Sequence, residues 1–170
     1  MEPVDTEMDA QGDISADGVT LAPRDRPESW TSDEWSTPRD IVEAWGVFDL
    51  DPCARPETAK APRWYTKVDN GLLLPWHGRV WLNPPYSRPR PWLEKAIQEV
   101  REGRATHVVA LLPAATDTGW FHDCVLGRAT LQFRRGRIKF IGWRGTPIGS
   151  PKSGSVFAIY EQATLLDTAP

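Results

Sequence analysis

Seven residues restrict the fold more than any others: His107-Val108-Val109-Ala110-Leu111-Leu112-Pro113 run apolar without polar alternation. Such a run suits a strand covered on both faces, the usual state of a strand inside a parallel sheet. Upstream, Val80-Trp81-Leu82 reads as the end of a second buried strand. Between them, Pro91 to Arg101 reads as a helix: Pro91 near its start, Trp92, Leu93, Ala96, Ile97 and Val100 on one face, Gly103 beyond its end. Strand, helix and strand in that order imply a right-handed crossover and an α/β class.

Weaker signals extend the pattern. Thr37 is expected to cap a helix with Pro38 at its first position and Asp40 in its first turn, Ile41, Val42 and Trp45 forming its apolar face and Gly46 stopping it. Val47-Phe48-Asp49-Leu50 alternates as a strand, and Trp64 and Tyr65 add a short one. Asn70-Gly71 is a turn signal, and Trp120, Phe121 and Val125 open an amphipathic helix. Leu131-Gln132-Phe133 and Ser155 to Tyr160 read as strands, with a Gly-, Pro- and Ser-rich loop from Gly142 to Gly154.

Composition bounds the partners. The chain of 170 residues is one domain's worth, with no apolar stretch of membrane-spanning length and no signal peptide, so a cytoplasmic protein is expected. The net charge of −3 conceals an asymmetry. Residues 1–34 carry ten acidic and two basic side chains, net −8, and few large apolar ones, so they are expected to form a disordered acidic arm. The remainder carries 18 basic and 13 acidic side chains, net +5, which suits a nucleic-acid partner without requiring one. Cys53 and Cys124 lack the context of a nucleophile, and His77, His107 and His122 have no partners at metal-ligand spacing, so no metal is expected.

The chemistry concentrates where the strand at Val80 ends in Asn83-Pro84-Pro85-Tyr86. The prolines lack N–H donors and cannot continue a ladder, so Asn83 and Tyr86 stand at a strand's carboxyl edge, where open α/β sheets bind ligands. An exocyclic amine on a nucleobase is a poor nucleophile because its lone pair is delocalised into the ring. Asn83 can offer its side-chain oxygen to one amine hydrogen and the Pro84 carbonyl can take the other, while Tyr86 offers a face for a base rotated out of a helix. Earlier, Asp51-Pro52-Cys53-Ala54 closes a strand. A carboxylate there can bind a ligand's ammonium group or accept from ribose hydroxyls, small Cys53 and Ala54 letting the backbone approach; alternatively Asp51 only organises an Asx turn.

Asn83-Pro84-Pro85-Tyr86 resembles the catalytic motif of amino-methyltransferases acting on adenine or cytosine in DNA, and with its flanks the chain resembles the small phage-type DNA adenine methyltransferases. The resemblance implies a Rossmann-like S-adenosylmethionine-dependent methyltransferase fold over residues 35–162, a mostly parallel sheet with helices on both faces, and a frayed tail at 163–170. It implies S-adenosyl-L-methionine as cofactor, Thr37 and Pro38 against its methionine end, and Asp69 on its adenine ring. The Gly-x-Gly loop expected after the first strand is missing, which leaves open whether Asp51 serves the methionine or the ribose. Ala114-Ala115-Thr116-Asp117-Thr118 resembles the following motif, with Thr116 and Thr118 shaping the target-base pocket or merely capping a helix.

Arg134-Arg135-Gly136-Arg137-Ile138-Lys139-Phe140 alternates basic and apolar residues. Arg134, Arg135, Arg137 and Lys139 are the candidates for contact with double-stranded DNA, through phosphates or guanine, unless they only defend a strand edge. The same motif serves cytosine N4, and the missing glycine loop also suits a binding module that has lost its cofactor. A monomer or a homodimer fits a chain with no separate recognition domain, and a phage or prophage origin follows from the resemblance.

Overall fold

Apolar runs and helical periodicity resolve into one six-stranded sheet in the computed structural model, which describes residues 31–146 and 151–166. The strands are β1 (Leu50–Asp51), β2 (Arg63–Trp64), β3 (Gly78–Leu82), β4 (Ala105–Pro113), β5 (Thr130–Phe133) and β6 (Ser155–Glu161). The helices are α1 (Arg39–Glu43), α2 (Arg90–Arg101), α3 (Gly119–Cys124) and α4 (Gln162–Leu166). Across the sheet the order is β2-β1-β3-β4-β6-β5. The first four pair in parallel, and β6 is antiparallel to both β4 and β5, so β5 runs with the other four.

Strand periodicity sorts the core into two layers. Val80, Leu82, Val108, Ala110 and Leu112 face the layer that holds the inward side of α2, Phe121 and Cys124 of α3, and Leu165 of α4. Trp81, Val109, Leu111 and Phe157 face the other, with Ile41 and Val42 of α1, Phe48, Ile138 and Phe140. Each such aliphatic side chain, fully buried, contributes roughly 1.5–3 kcal/mol. Helices therefore lie on both faces, but among the described residues α1 alone covers the second, where irregular chain completes the cover. Pro52, Pro56 and Pro62 between β1 and β2 explain part of this, since they remove the donors a helix there would need.

Several boundaries differ from expectation, each for a local reason. The strand expected at 47–50 shrinks to Leu50–Asp51, because the Asp49 carboxylate accepts from Arg79 N–H (2.8 Å) where a ladder carbonyl would sit. The short strand expected at Trp64 and Tyr65 falls at Arg63–Trp64. Pro38 is itself the cap of α1, and Thr37 makes no capping bond. Gly46 ends that helical stretch at φ +85°, a conformation glycine adopts without strain. Arg134 to Phe140 is irregular chain beyond β5 rather than a strand. The expected frayed tail begins instead with α4, because Leu165 finds a place in the first core layer. Residues 31–34, assigned by composition to the acidic arm, fold as a 3-10 turn over Ser32–Glu34; the rest of the arm, residues 147–150 of the Gly142–Gly154 loop and residues 167–170 lie outside the described residues.

Glu99, buried on α2, locks the crossover. It ion-pairs with Lys95 and Arg104, each at 2.5 Å, and accepts from Trp76 N–H at 3.4 Å. Burial alone would raise its pKa, but the bonds from Arg104 and Lys95 outweigh it and hold the carboxylate below its ordinary value. Among the described residues no helix is long and apolar enough to cross a membrane.

Candidate active site

Because β1 and β3 are parallel neighbours, the loops leaving Asp51 and Leu82 emerge at one edge of the sheet. After β3 the prolines bend the chain, and a turn closed by Arg88 N–H on the Pro85 carbonyl (3.1 Å) carries Tyr86 and Ser87. The Asn83 amide nitrogen donates to the Trp35 carbonyl at 3.5 Å. Its Oδ1 is buried and has no hydrogen-bond partner among the described residues, and the hydroxyls of Tyr86 and Thr37 share that state. A buried acceptor without a donor costs about 1–3 kcal/mol, so a site that keeps one is arranged for something outside the chain.

Two hollows flank Asn83. The larger, about 220 Å³, has walls from Pro52, Cys53 and Ala54 after β1, from Thr66, Asn70 and Gly71, from Asn83 and Pro85, from Trp92 of α2, and from Asp33 to Trp35. The smaller is a crevice of about 10 Å³ among Ser32, Asp33, Trp35, Asn83, Pro84, Tyr86 and Phe140. Tyr86 meets Phe140 edge to face, with ring centres 6.3 Å apart, and Trp35 lies tilted 6.0 Å from the same ring. Burial raises the Tyr86 phenol further above its ordinary range, so it remains protonated.

Asp51 is 4% exposed and lines neither hollow. Its two oxygens accept from Cys53 N–H (3.3 Å) and Lys60 N–H (3.1 Å), so it shapes the loop that forms the wall, the Asx-turn alternative. Burial pushes its pKa up to about 6, against the opposing pull of those two N–H groups and of the Lys60 charge. The Cys53 thiol is raised well above its usual value by burial and by Asp51, so it stays protonated and unreactive. Asp69 is exposed and closes its own turn through Thr66 N–H (2.8 Å) and hydroxyl (2.7 Å), bonds that hold its carboxyl below the ordinary value. Its neighbours Asn70 and Gly71, not Asp69, reach the larger hollow. A Cβ on Gly71 would collide with the Pro52 carbonyl oxygen, so only glycine lets these two loops touch.

Of the remaining candidates, Thr37 is buried, and neither it nor Pro38 lines a hollow. Thr118 turns its hydroxyl onto the Ala115 carbonyl (2.7 Å), and the Thr116 carbonyl meets His122, so both organise the start of α3. Trp76 is wholly buried, donates to the Gly71 carbonyl (2.8 Å) and stacks on Trp92, so it backs the hollow without lining it. Arg134, Arg135, Arg137 and Lys139 are exposed while Ile138 and Phe140 are buried, which makes a cationic outer surface on a segment anchored from within.

Sequence reasoning missed Asp33 and Glu34, because an acidic composition masked a segment that folds only against other parts of the chain, and it placed Trp35 at the start of the ordered domain without a role in the site. Glu34 ion-pairs with Lys67 and Arg55. Phe140 was legible as a buried position in its alternating segment but not as a neighbour of Tyr86 from another part of the chain.

A cavity at the edge of a mostly parallel α/β sheet, beside an amide acceptor left without a donor, marks the candidate site of an α/β protein. The chain belongs to the DNA N-6-adenine-methyltransferase (Dam) family, whose model matches residues 26–164. It is similar to a DNA N-6-adenine-methyltransferase of Escherichia phage T1, 32% identical over 153 residues covering 76% of this chain and 63% of that one. A DNA N-6-adenine-methyltransferase of Haemophilus phage HP1 is 35% identical over 122 residues, covering 64% of this chain and 66% of that one. The chain thus spans slightly under two thirds of the length of each relative. No solved structure matches it.

Proposed function

We propose that this protein transfers a methyl group from S-adenosyl-L-methionine to the N6 amine of adenine in DNA, through a Rossmann-like methyltransferase domain. The observation that carries the proposal is the buried, partnerless Oδ1 of Asn83 between a ligand-sized hollow and an aromatic crevice. An exocyclic amine is a donor that fits this acceptor. Asn83 Oδ1 accepts from one amine hydrogen and the Pro84 carbonyl from the other, which localises the lone pair on nitrogen and aims it at the larger hollow. Tyr86, braced by Phe140, supplies the stacking face for the flipped base. The crevice is too narrow to admit a base as it stands, so entry requires the aromatic side chains to part.

The larger hollow suits the cofactor. Its apolar walls, Pro52, Pro85 and the Trp92 ring, suit an adenine ring, and the mixed charges of Glu34, Arg55 and Lys67 suit a zwitterionic amino acid, both oxygens of Asp33 being taken by Ser87. When bound there, the cofactor supplies an electrophilic methyl group. Adjacency of β1 to β3 favours Cys53 and Ala54 at the methionine end, with Asp51 acting through the loop it holds. Thr37 and Pro38 lie two and three residues after Trp35, which lines the hollow, and serve the same end through that segment. Asp69 acts by holding the turn that places Asn70 and Gly71 at the adenine end. Arg134, Arg135, Arg137 and Lys139 contact the DNA backbone.

The test is methyl transfer from labelled cofactor to unmethylated double-stranded DNA, then nucleoside digestion and mass identification. N6-methyladenine is the expected product. N4-methylcytosine would reassign the base, and no transfer from folded protein across several DNA substrates would overturn the reading in favour of a cofactor-less binding module.

A further inference from the structure

We infer that Asp33 is a positioning residue that clamps the loop after β3 and, with the Trp35 carbonyl, decides which end of the Asn83 amide is offered to the target amine, resting on the role of Asn83 proposed above. The two carboxylate oxygens of Asp33 accept from the backbone N–H (3.1 Å) and the hydroxyl (2.5 Å) of Ser87, 54 positions away in the chain. Two donors of one residue on two oxygens of one carboxylate fix orientation as well as distance, and the charge strengthens both bonds.

The clamp is itself anchored. Asp33 N–H bonds the Thr31 hydroxyl (3.3 Å), Glu34 ion-pairs with Lys67, and the Glu34 carbonyl accepts from Arg55 (3.2 Å). Two residues after Asp33, the Trp35 carbonyl accepts from the Asn83 amide nitrogen. The two ends of an amide have nearly the same shape and opposite hydrogen-bonding character. A carbonyl beside one end attracts the NH2 and repels the oxygen, so Oδ1 is turned to the side where it has no partner. A donor amine requires that polarity; the opposite one would present it with another donor. The segment Asp33–Trp35 thus grips the catalytic loop at Ser87 and sets its amide at Asn83. Ser87 is exposed and Asp33 half-buried, and the bond between them lies at the surface, where it adds little to global stability, so its loss is expected to show in turnover rather than in melting.

The experiment compares wild type with D33A, D33N and S87A in the full chain at saturating DNA and cofactor. D33A is expected to lower kcat by roughly 30- to 100-fold, the scale of a misplacement near 1 Å, with KM for both substrates within about threefold. D33N keeps an acceptor for the Ser87 N–H and a donor for its hydroxyl, so it is expected to stay within about fivefold of wild type. S87A, which removes one of the two bonds and carries the test if D33A does not fold, is expected to lose about tenfold. Hydrogen exchange at the Ser87 amide should quicken in D33A at an unchanged melting temperature. Turnover in D33A, or in S87A where that variant stands in, within about threefold of wild type overturns the inference. So does a D33N as impaired as D33A with a lowered melting temperature, which would mark a merely structural brace. A wild type that transfers no methyl group brings down the functional proposal instead, and the clamp then stands or falls on whether Ser87 exchange quickens in D33A.

Discussion

Asn83 and Asp51 show how differently two polar residues at neighbouring strand ends are used. Asn83 keeps an acceptor free inside the protein, whereas both oxygens of Asp51 are taken by its own loop. Asn83→Ala is expected to lower methyl transfer by at least about 10²–10³-fold while cofactor affinity, measured by titration calorimetry, stays near wild type. Near-normal turnover would remove Asn83 from catalysis. Asp51 carries a pH dependence whose sign is fixed by its raised pKa. With a folded-state value of about 6 against 3.8 when unfolded, the folded protein binds more protons between those values, so this group stabilises fully below pH 3.8 and loses its contribution as pH rises through 6. The loss is on the order of 3 kcal/mol. Denaturant unfolding of wild type and Asp51→Asn across that window measures it: the difference in stability between the two should drift by about that amount, and a flat difference would show that Asp51 titrates normally.

At the scale of elements, the segment from Arg134 to Phe140 is held by two buried side chains, Ile138 and Phe140, and presents four cations outward. Its irregular backbone joins the edge strand β5 to the aromatic crevice, so any DNA held there sits beside the proposed position of the flipped base. Replacing Arg134, Arg135, Arg137 or Lys139 with alanine should reduce the slope of log affinity against log salt by about 0.9 for every phosphate that is no longer neutralised. Filter binding or anisotropy over a salt series would show it. An unchanged slope in the fourfold variant would leave these residues as a charged surface guarding the β5 edge.

For the whole molecule, the hollow at the sheet edge couples ligand to stability. A ligand that binds only the folded state at 100 times its Kd adds about 2.7 kcal/mol, which for a chain of this size raises Tm by several degrees. S-adenosylmethionine and its demethylated product are expected to do so in a thermal-shift titration. A melting temperature indifferent to either would favour the cofactor-less module over the enzyme. The reversed strand β6, wedged between β4 and β5, ties β5 to the four parallel strands by ladders on both its edges.

What the sequence determined alone was whatever depends on near neighbours: the doubly buried β4, the amphipathic α2, the end of β3 at Asn83-Pro84-Pro85-Tyr86, and the alternation that buries Ile138 and Phe140. Periodicity and the missing proline donors are local properties, legible without a fold. Only the tertiary structure decided the rest. It placed β6 antiparallel between β4 and β5, engaged Asp51 and Asp69 in their own loops, and brought the segment Asp33–Trp35 onto Ser87 and Asn83. Each of those outcomes turns on partners brought together by the fold, whose competition for one carboxylate or one amide no local pattern records.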